Sequence, residues 1–144
     1  GGPIFEALFG LRGFALPTLL KKYSPLNSSI IVGFFFGAWH LIAFFDPASS
    51  QYALGLIYYP LFIVLQIASS IIMTWIYLKS GRNLFLGGIF FHLTMNVCDV
   101  LFQTDFRLSN MNVIPQINKN YFIIHSIIVI AVSAFITVKD KMFK

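Results

Sequence analysis

The sequence predicts an all-α membrane protein: a polytopic transmembrane helical bundle with four full spans and an N-terminal helix that carries a sequence motif. Of the 144 residues, 58% are hydrophobic and only 10% are charged, whereas soluble domains carry roughly 25% charged residues. The apolar residues form continuous runs that do not alternate with polar ones, which argues against transmembrane β-strands. Lipid is therefore the expected solvent.

Four apolar runs are each long enough to cross a hydrocarbon core of about 30 Å, which takes ~20 helical residues. A shorter segment, Pro3 to Leu20, precedes them, and Pro17 is expected to end or kink its helix. Pro60 lies within the second run, where neighbouring helices would satisfy the carbonyl that it frees. The four predicted spans extend from Ser28 to Phe45, from Tyr52 to Leu78, from Leu84 to Phe102 and from Tyr121 to Val138.

Basic residues cluster between the spans and predict the orientation of the bundle. Four crossings place three basic clusters on one side of the membrane, which the positive-inside rule assigns to the cytoplasm together with the C-terminus. Short clusters do not make the continuous basic face that nucleic acid requires, so nucleic acid is not an expected partner despite the net charge of +5. The stretch from Gln103 to Asn120 is predicted to be a loop on the other side. The clusters are Lys21 and Lys22, Lys79 and Arg82, and Lys139, Lys141 and Lys144.

Strongly polar residues interrupt the apolar segments, and such residues are costly inside a membrane unless they pair or serve a function. Counted from the cytoplasmic ends at about 1.5 Å per residue, Glu6, His40, His92 and Asn96 fall at overlapping depths on three predicted helices. His92 and Asn96 are four residues apart, so they lie on one face of their helix. We therefore predict a shared polar pocket, with Arg12 as a supporting member.

This set of side chains favours hydrolysis by an activated water. Glu6, desolvated by its surroundings, is expected to act as a general base while His40 shares the water and shuttles the proton. His92 and Asn96, one turn apart, are expected to stabilise an oxyanion. The structural alternatives are interhelical hydrogen bonds made by the imidazoles and the amide, and an ion pair between Glu6 and Arg12.

No cofactor is expected, and zinc is the second choice. Histidine and glutamate are ordinary zinc ligands, but the sequence has no His-Glu-x-x-His pairing and an amide is a poor zinc ligand.

Two further polar residues stay outside the predicted catalytic set. Asp99 is expected to orient a neighbour or to lie at the outer end of its span, and His125 is expected to be structural.

Three segments carry a resemblance to a known family. Phe36 to His40 reads Phe-x-x-x-His, His92 to Asn96 reads His-x-x-x-Asn, and Arg12 to Pro17 precedes both. In this order the segments resemble the CPBP intramembrane proteases, also called the CAAX protease or Abi family. The resemblance implies a glutamic endopeptidase in which Glu6 and His40 activate water and His92 and Asn96 hold the oxyanion.

The first motif departs from the family pattern Glu-Glu-x-x-x-Arg. Ala7 stands in place of the second glutamate, and one extra residue separates Glu6 from Arg12. In a regular α-helix the two side chains would point about 120° apart. A π-turn near Gly10 would absorb the extra residue.

These observations lead to one functional hypothesis and two alternatives. The first is an intramembrane endopeptidase that cleaves a CAAX-type or bacteriocin-related peptide, or a lipidated protein, by means of a Glu/His-activated water. The alternative is a degenerate, non-catalytic membrane protein that binds a peptide or partner, as a bacteriocin self-immunity protein does, which the altered first motif favours. A transporter with a Glu/His proton relay is the third reading.

We expect residues 1–144 to form a single multi-pass domain in the cell membrane, in contact with membrane lipid. The resemblance implies the motif-bearing C-terminal half of the family, without its earlier helices. The oligomeric state is left open.

Overall fold

The computed structural model describes the backbone of residues 10–109 and 112–140. Side chains are described for the same residues except 103–116. Within this part of the chain, four helical segments are long and apolar enough to cross a membrane. The all-α polytopic bundle is thereby confirmed, and the protein is a multi-pass membrane protein. The four spans are Pro25–Phe45, Leu56–Lys79, Phe85–Phe102 and Lys119–Lys139.

The N-terminal segment begins as a π-helix and continues as an α-helix. The π-helix covers Leu11–Ala15, and α1 covers Leu16–Leu19. Pro17 lies in the first turn of α1, where its missing N–H leaves no hydrogen bond unmade. The helix ends at Leu19, close behind Pro17, as predicted.

The first span starts at a well-capped N-terminus. Helix α2 covers Pro25–Trp39, and the Ser24 hydroxyl accepts a hydrogen bond from the Asn27 backbone N–H at 3.2 Å. Serine before proline is a favourable start for a helix. The serine side chain accepts a hydrogen bond from a free backbone N–H, and proline has no N–H that would need a partner. The span tightens into a 3-10 helix over His40–Phe45. His40 therefore lies where the helix geometry changes.

The second span is shorter than the predicted run from Tyr52 to Leu78. A separate helix α3 covers Ser50–Leu54, a 3-10 turn covers Leu56–Tyr58, and α4 covers Tyr59–Lys79. The chain breaks at Gly55, whose φ of +100° is a conformation that side chains rarely adopt. Pro60 lies in the first turn of α4, so the freed carbonyl expected inside the span does not arise.

The third span alternates between helix types. Helix α5 covers Phe91–Cys98 and is flanked by π-helices over Phe85–Phe90 and Asp99–Gln103. Single π-turns inside helices are often found at functional sites. This span is the least buried of the four within the protein.

The predicted loop from Gln103 to Asn120 contains an antiparallel hairpin. Strand β1 covers Thr104–Ser109 and pairs with β2, Asn112–Ile117, with Thr104 opposite Ile117 at the open end. The stretch predicted to be a loop between two spans is thus a connection built largely from two paired strands. Its apolar and polar residues lack a helical period, and two short strands can satisfy each other's backbone groups outside the membrane.

Helix α6 covers Lys119–Lys139, and the central helix of the bundle is α4. Helix α4 contacts α2, α6 and the π-helix before α5. Helix α2 approaches α4 closely at Gly33, where an added Cβ would lie 2.6 Å from the Ile67 Cα. In lipid the hydrophobic effect does not drive helices together. Small residues at such crossings let the backbones approach closely, so that van der Waals packing stabilises the pair.

The cytoplasmic ends predicted for the spans meet at one end of the bundle. The Asp140 carboxylate lies 2.8 Å from the Lys79 ammonium and accepts a hydrogen bond from the Trp75 indole at 2.8 Å. Leu16 and Val32 pack with Tyr77, which precedes Lys79 by two residues. Lys79 and Lys139 thus lie at one end of the bundle and Lys119, the first residue of α6, lies at the other, while Lys141 and Lys144 lie outside the described residues.

Candidate active site

Most residues of the predicted site line one cavity of about 110 Å³. Arg12, His40, His92 and Asn96 all line it, although they come from three different helical segments. Glu6, the fifth predicted residue, lies outside the described residues. Of the residues whose helical depths were expected to overlap, His40, His92 and Asn96 line this one cavity together with Arg12.

His40 has a defined ring orientation. Its Nδ1 lies 2.8 Å from the backbone carbonyl oxygen of Phe36, one turn earlier in the helix. Because a carbonyl oxygen only accepts, Nδ1 must carry a proton and donate it. In the neutral imidazole Nε2 is then the acceptor nitrogen, which is the atom that can take a proton from water.

The ring of Phe36 lies between the two imidazoles. Its centroid is 4.5 Å from that of His40 and 5.6 Å from that of His92, and both contacts are edge-to-face. Phe62 on α4 also packs against His40, with centroids 5.5 Å apart. These rings restrict the rotation of both histidines. The spacing of Phe36 from His40 was visible in the sequence, but its contact with His92 was not.

Helix α5 presents His92 and Asn96 from successive turns of one face, as predicted. His92 is partly buried, whereas Asn96 is exposed although it lines the cavity. An exposed lining residue marks the mouth of a cavity. Within the described residues, α5 belongs to the least buried of the four spans.

Arg12 is almost fully buried, with 4% of its surface exposed. It lies in the π-helix, where the Ala15 N–H reaches the Gly10 carbonyl at 3.3 Å and the Leu16 N–H bonds to the Leu11 carbonyl. Wide helical turns therefore surround Arg12, and whether they absorb the extra residue between Glu6 and Arg12 stays a prediction. The position of Glu6 relative to this turn lies outside the described residues.

Sequence reasoning left several lining residues out of the site. Gln66 and Ser69 lie three residues apart on the largely apolar α4, a helical spacing that indicates a shared face. Asp99 follows Asn96 by three residues and was expected to orient a neighbour or to lie at the outer end of its span. His125, expected to be structural, comes from the distant α6, and no local pattern connects it to the others. The lining residues not predicted as site members include Gln51, Gln66, Ser69, Asp99 and His125.

A metal centre is not visible in the part of the chain that the structure describes, which contains no group of three or more His, Cys, Asp or Glu side chains. The zinc alternative would need Glu6 beside His40 and His92. Because Glu6 lies outside the described residues, the expectation of no cofactor and the zinc alternative both stay predictions.

Comparisons with known proteins place the motifs in a family. The family model described as type II CAAX prenyl endopeptidase Rce1-like matches residues 1–98. The chain is also 38% identical over 96 residues to CAAX prenyl protease 2 of Methanococcus maripaludis. That alignment covers 65% of this chain and 35% of the relative, so the chain spans about a third of that protein. No solved structure matches the chain.

Proposed function

The chain belongs to the type II CAAX prenyl endopeptidase Rce1-like family, and on this premise we propose that it is an intramembrane endopeptidase acting on a prenylated protein or peptide. The observation that carries the proposal is the joint cavity. His40, His92 and Asn96, the residues of the second and third motifs, line it together with the buried Arg12. The bond cleaved is a peptide bond, and the nucleophile is water.

Water activation is assigned to His40 and Glu6. With Nδ1 donating to the Phe36 carbonyl, the Nε2 of His40 offers its lone pair to a water in the cavity. Glu6 is the second base in this scheme and takes the water proton or shares it with His40. General-base catalysis of this kind contributes roughly 10²- to 10⁴-fold to the rate.

Stabilisation of the oxyanion is assigned to His92 and Asn96. An imidazole N–H and an amide NH₂ are both donors, and one turn of helix holds them at neighbouring depths. Donors that are fixed before the reaction stabilise the negative charge that develops on the attacked carbonyl oxygen. The buried guanidinium of Arg12 adds positive charge to the same cavity.

The size and mouth of the cavity suggest how a lipidated substrate binds. A volume of about 110 Å³ holds several waters, since one water needs only about 10–15 Å³ by this measure. It accommodates a short length of peptide but not a long isoprenoid chain as well. We therefore expect the peptide to enter past the exposed Asn96 while the prenyl chain remains among the lipids that surround α5.

The test is cleavage of a prenylated peptide by the protein in lipid vesicles. Glu6→Gln and His40→Ala are each expected to lower kcat by about 10²-fold or more, because each removes a base. Ser126→Ala is the matched control: Ser126 is buried on α6, bonds only to the Phe122 carbonyl among the hydrogen bonds described, and does not line the cavity. Full activity in both base variants would refute the mechanism. A wild-type protein that binds the peptide without cleaving it would favour the non-catalytic alternative.

A further inference from the structure

A second acidic and basic pair lies on the cavity that holds the motif residues. Asp99 follows α5, His125 lies in α6, and both line the cavity. The Asp99 Oδ1 and the His125 Nδ1 are 3.6 Å apart. Both residues lie beyond residues 1–98, the part of the chain that the family model matches.

The two facing atoms of this pair are buried. Oδ1 of Asp99 and Nδ1 of His125 are both removed from solvent, and neither has a hydrogen-bond partner in the described part of the chain apart from this long mutual contact. Buried polar groups are costly without a good partner. Catalytic hydrogen bonds, by contrast, are often long before substrate binds and tighten in the complex.

The pair has the arrangement that holds an imidazole ready for proton transfer. An ionised carboxylate has only acceptors, so its contact with Nδ1 requires a proton on that nitrogen. The other ring nitrogen, Nε2, then exchanges protons, and the carboxylate stabilises the imidazolium when it forms. A carboxylate plays this part towards the histidine of a serine protease triad.

The position of the pair fits the leaving side of a peptide. Asp99 lies three residues beyond Asn96, about 4.5 Å along a helix axis. One residue of an extended peptide spans about 3.3–3.6 Å. A pair that begins about one helical turn beyond Asn96, and about two turns beyond His92, is therefore in reach of a peptide group next to the scissile carbonyl.

We propose that His125, positioned by Asp99, donates the proton that the leaving amine needs during peptide cleavage. This inference rests on the proposed endopeptidase function. The water oxygen bonds to the carbonyl carbon, and the water proton passes to Glu6 and His40. The C–N bond breaks with its electron pair on nitrogen, which takes the Nε2 proton of the His125 imidazolium and leaves a neutral imidazole with its proton on Nδ1. The proton held by Glu6 and His40 then returns to His125 through solvent, and the cycle closes.

Leaving-group dependence tests this role. The two substrates are a prenylated peptide and its depsipeptide, in which an ester replaces the scissile amide. An amine cannot leave without a proton, whereas an alkoxide depends on one far less. His125→Asn is therefore expected to lower kcat by about 10²-fold on the amide and to leave kcat on the ester within a few-fold of wild type. Asp99→Asn is expected to act in the same direction.

The loss of kcat on the amide, compared with the loss on the ester in the same variant, decides the outcome. Equal losses on amide and ester in both His125→Asn and Asp99→Asn, or no loss in either, would overturn the proposal and leave the pair as a structural tie between α5 and α6. His125→Gln is the second variant if His125→Asn does not accumulate in the membrane, and Ser126→Ala is the control on the same helix. His40→Ala is expected to slow both substrates, since both need activated water. Unchanged rates in His40→Ala would instead count against the endopeptidase function itself.

Discussion

The phenyl ring of Phe36 stands edge-on to the imidazole of His92, with the centroids 5.6 Å apart and the planes at 86°. The same residue accepts a hydrogen bond from His40 through its backbone carbonyl. Phe36 therefore joins the second motif to the third, one contact through the side chain and the other through the main chain. The aromatic position of the Phe-x-x-x-His motif is explained by this double contact.

Replacement of Phe36 by leucine tests that explanation. The hydrogen bond to His40 is made by the backbone and remains, while the edge contacts to both imidazoles are lost. Aromatic pairs contribute roughly 0.5–1.5 kcal/mol each beyond their buried area, so we expect kcat to fall about tenfold, the equivalent of about 1.4 kcal/mol at the transition state. The measurement is kcat on a prenylated peptide, with the thermal midpoint recorded in parallel.

Phe34→Leu is the matched control for this substitution. Phe34 is an exposed phenylalanine of the same helix, and the ring contact described for it is with Phe35. Its replacement is expected to leave kcat unchanged. Equal losses in the two variants would mean that the aromatic contact with His92 has no catalytic importance.

Asn96 is expected to act in the transition state rather than in binding. Removal of one preorganised oxyanion donor costs about 10²- to 10³-fold in kcat, so Asn96→Ala is expected to lower kcat by that factor with little change in KM. Thr94→Ala is the control on the same helix, because the Thr94 hydroxyl donates to the Phe90 carbonyl, and the residue does not line the cavity. An increase in KM at constant kcat would assign Asn96 to substrate binding instead.

The crossing of α2 and α4 is expected to tolerate no side chain at Gly33. An added Cβ would lie 2.6 Å from the Ile67 Cα and 2.9 Å from the Gln66 carbonyl oxygen, both backbone atoms that cannot move aside. At Gly37 the corresponding distance to the Ile63 Cα is 3.2 Å. We expect Gly33→Ala to destabilise the bundle by roughly 1–3 kcal/mol and Gly37→Ala by less. Thermal unfolding in detergent measures both, and the reverse order would contradict the packing described.

The orientation of the bundle follows from its basic end. Lys22, Lys79 and Lys139 lie at one end, and Asp46 follows the first span at the other. By the positive-inside rule we propose that the basic end faces the cytoplasm. Single cysteines introduced at these four positions in a Cys98→Ser background report the topology.

In intact cells an impermeant thiol reagent is expected to label the cysteine at position 46 and to leave those at positions 22, 79 and 139 unlabelled until the cells are opened. Labelling of all three basic positions in intact cells would show that the basic end faces the outside, the opposite of the proposed orientation. A split among the three would contradict the shared end seen in the structure.

The functional motifs could be predicted because they are local. Phe36 and His40, like His92 and Asn96, are one helical turn apart, so their relative positions follow from helix geometry alone. The overlapping depth of three helices then predicted a shared pocket, and the structure brings His40, His92 and Asn96 to one cavity. The catalytic roles of these residues, and the part of Glu6, stay predictions.

Other features could not be read from local patterns. Hydropathy does not register a single glycine, so the break at Gly55 was hidden inside an apolar run. The approach of His125 to Asp99 depends on how α6 packs against the end of α5, which is a matter of tertiary contacts. The hairpin after Gln103 was missed because its residues were assigned to a loop on composition alone.

The sequence by itself determined that the protein spans the membrane four times within the described residues, that its basic clusters share one end, and that two motifs each present a pair of polar groups. Composition and helical period suffice for these properties, because burial in lipid and the 3.6-residue turn act on each segment separately. Only the tertiary structure decided which groups meet: Phe36 with His92, and Asp99 with His125. Contacts between segments depend on the shapes of whole helices, and small residues such as Gly33 set those shapes only once the partner helix is in place.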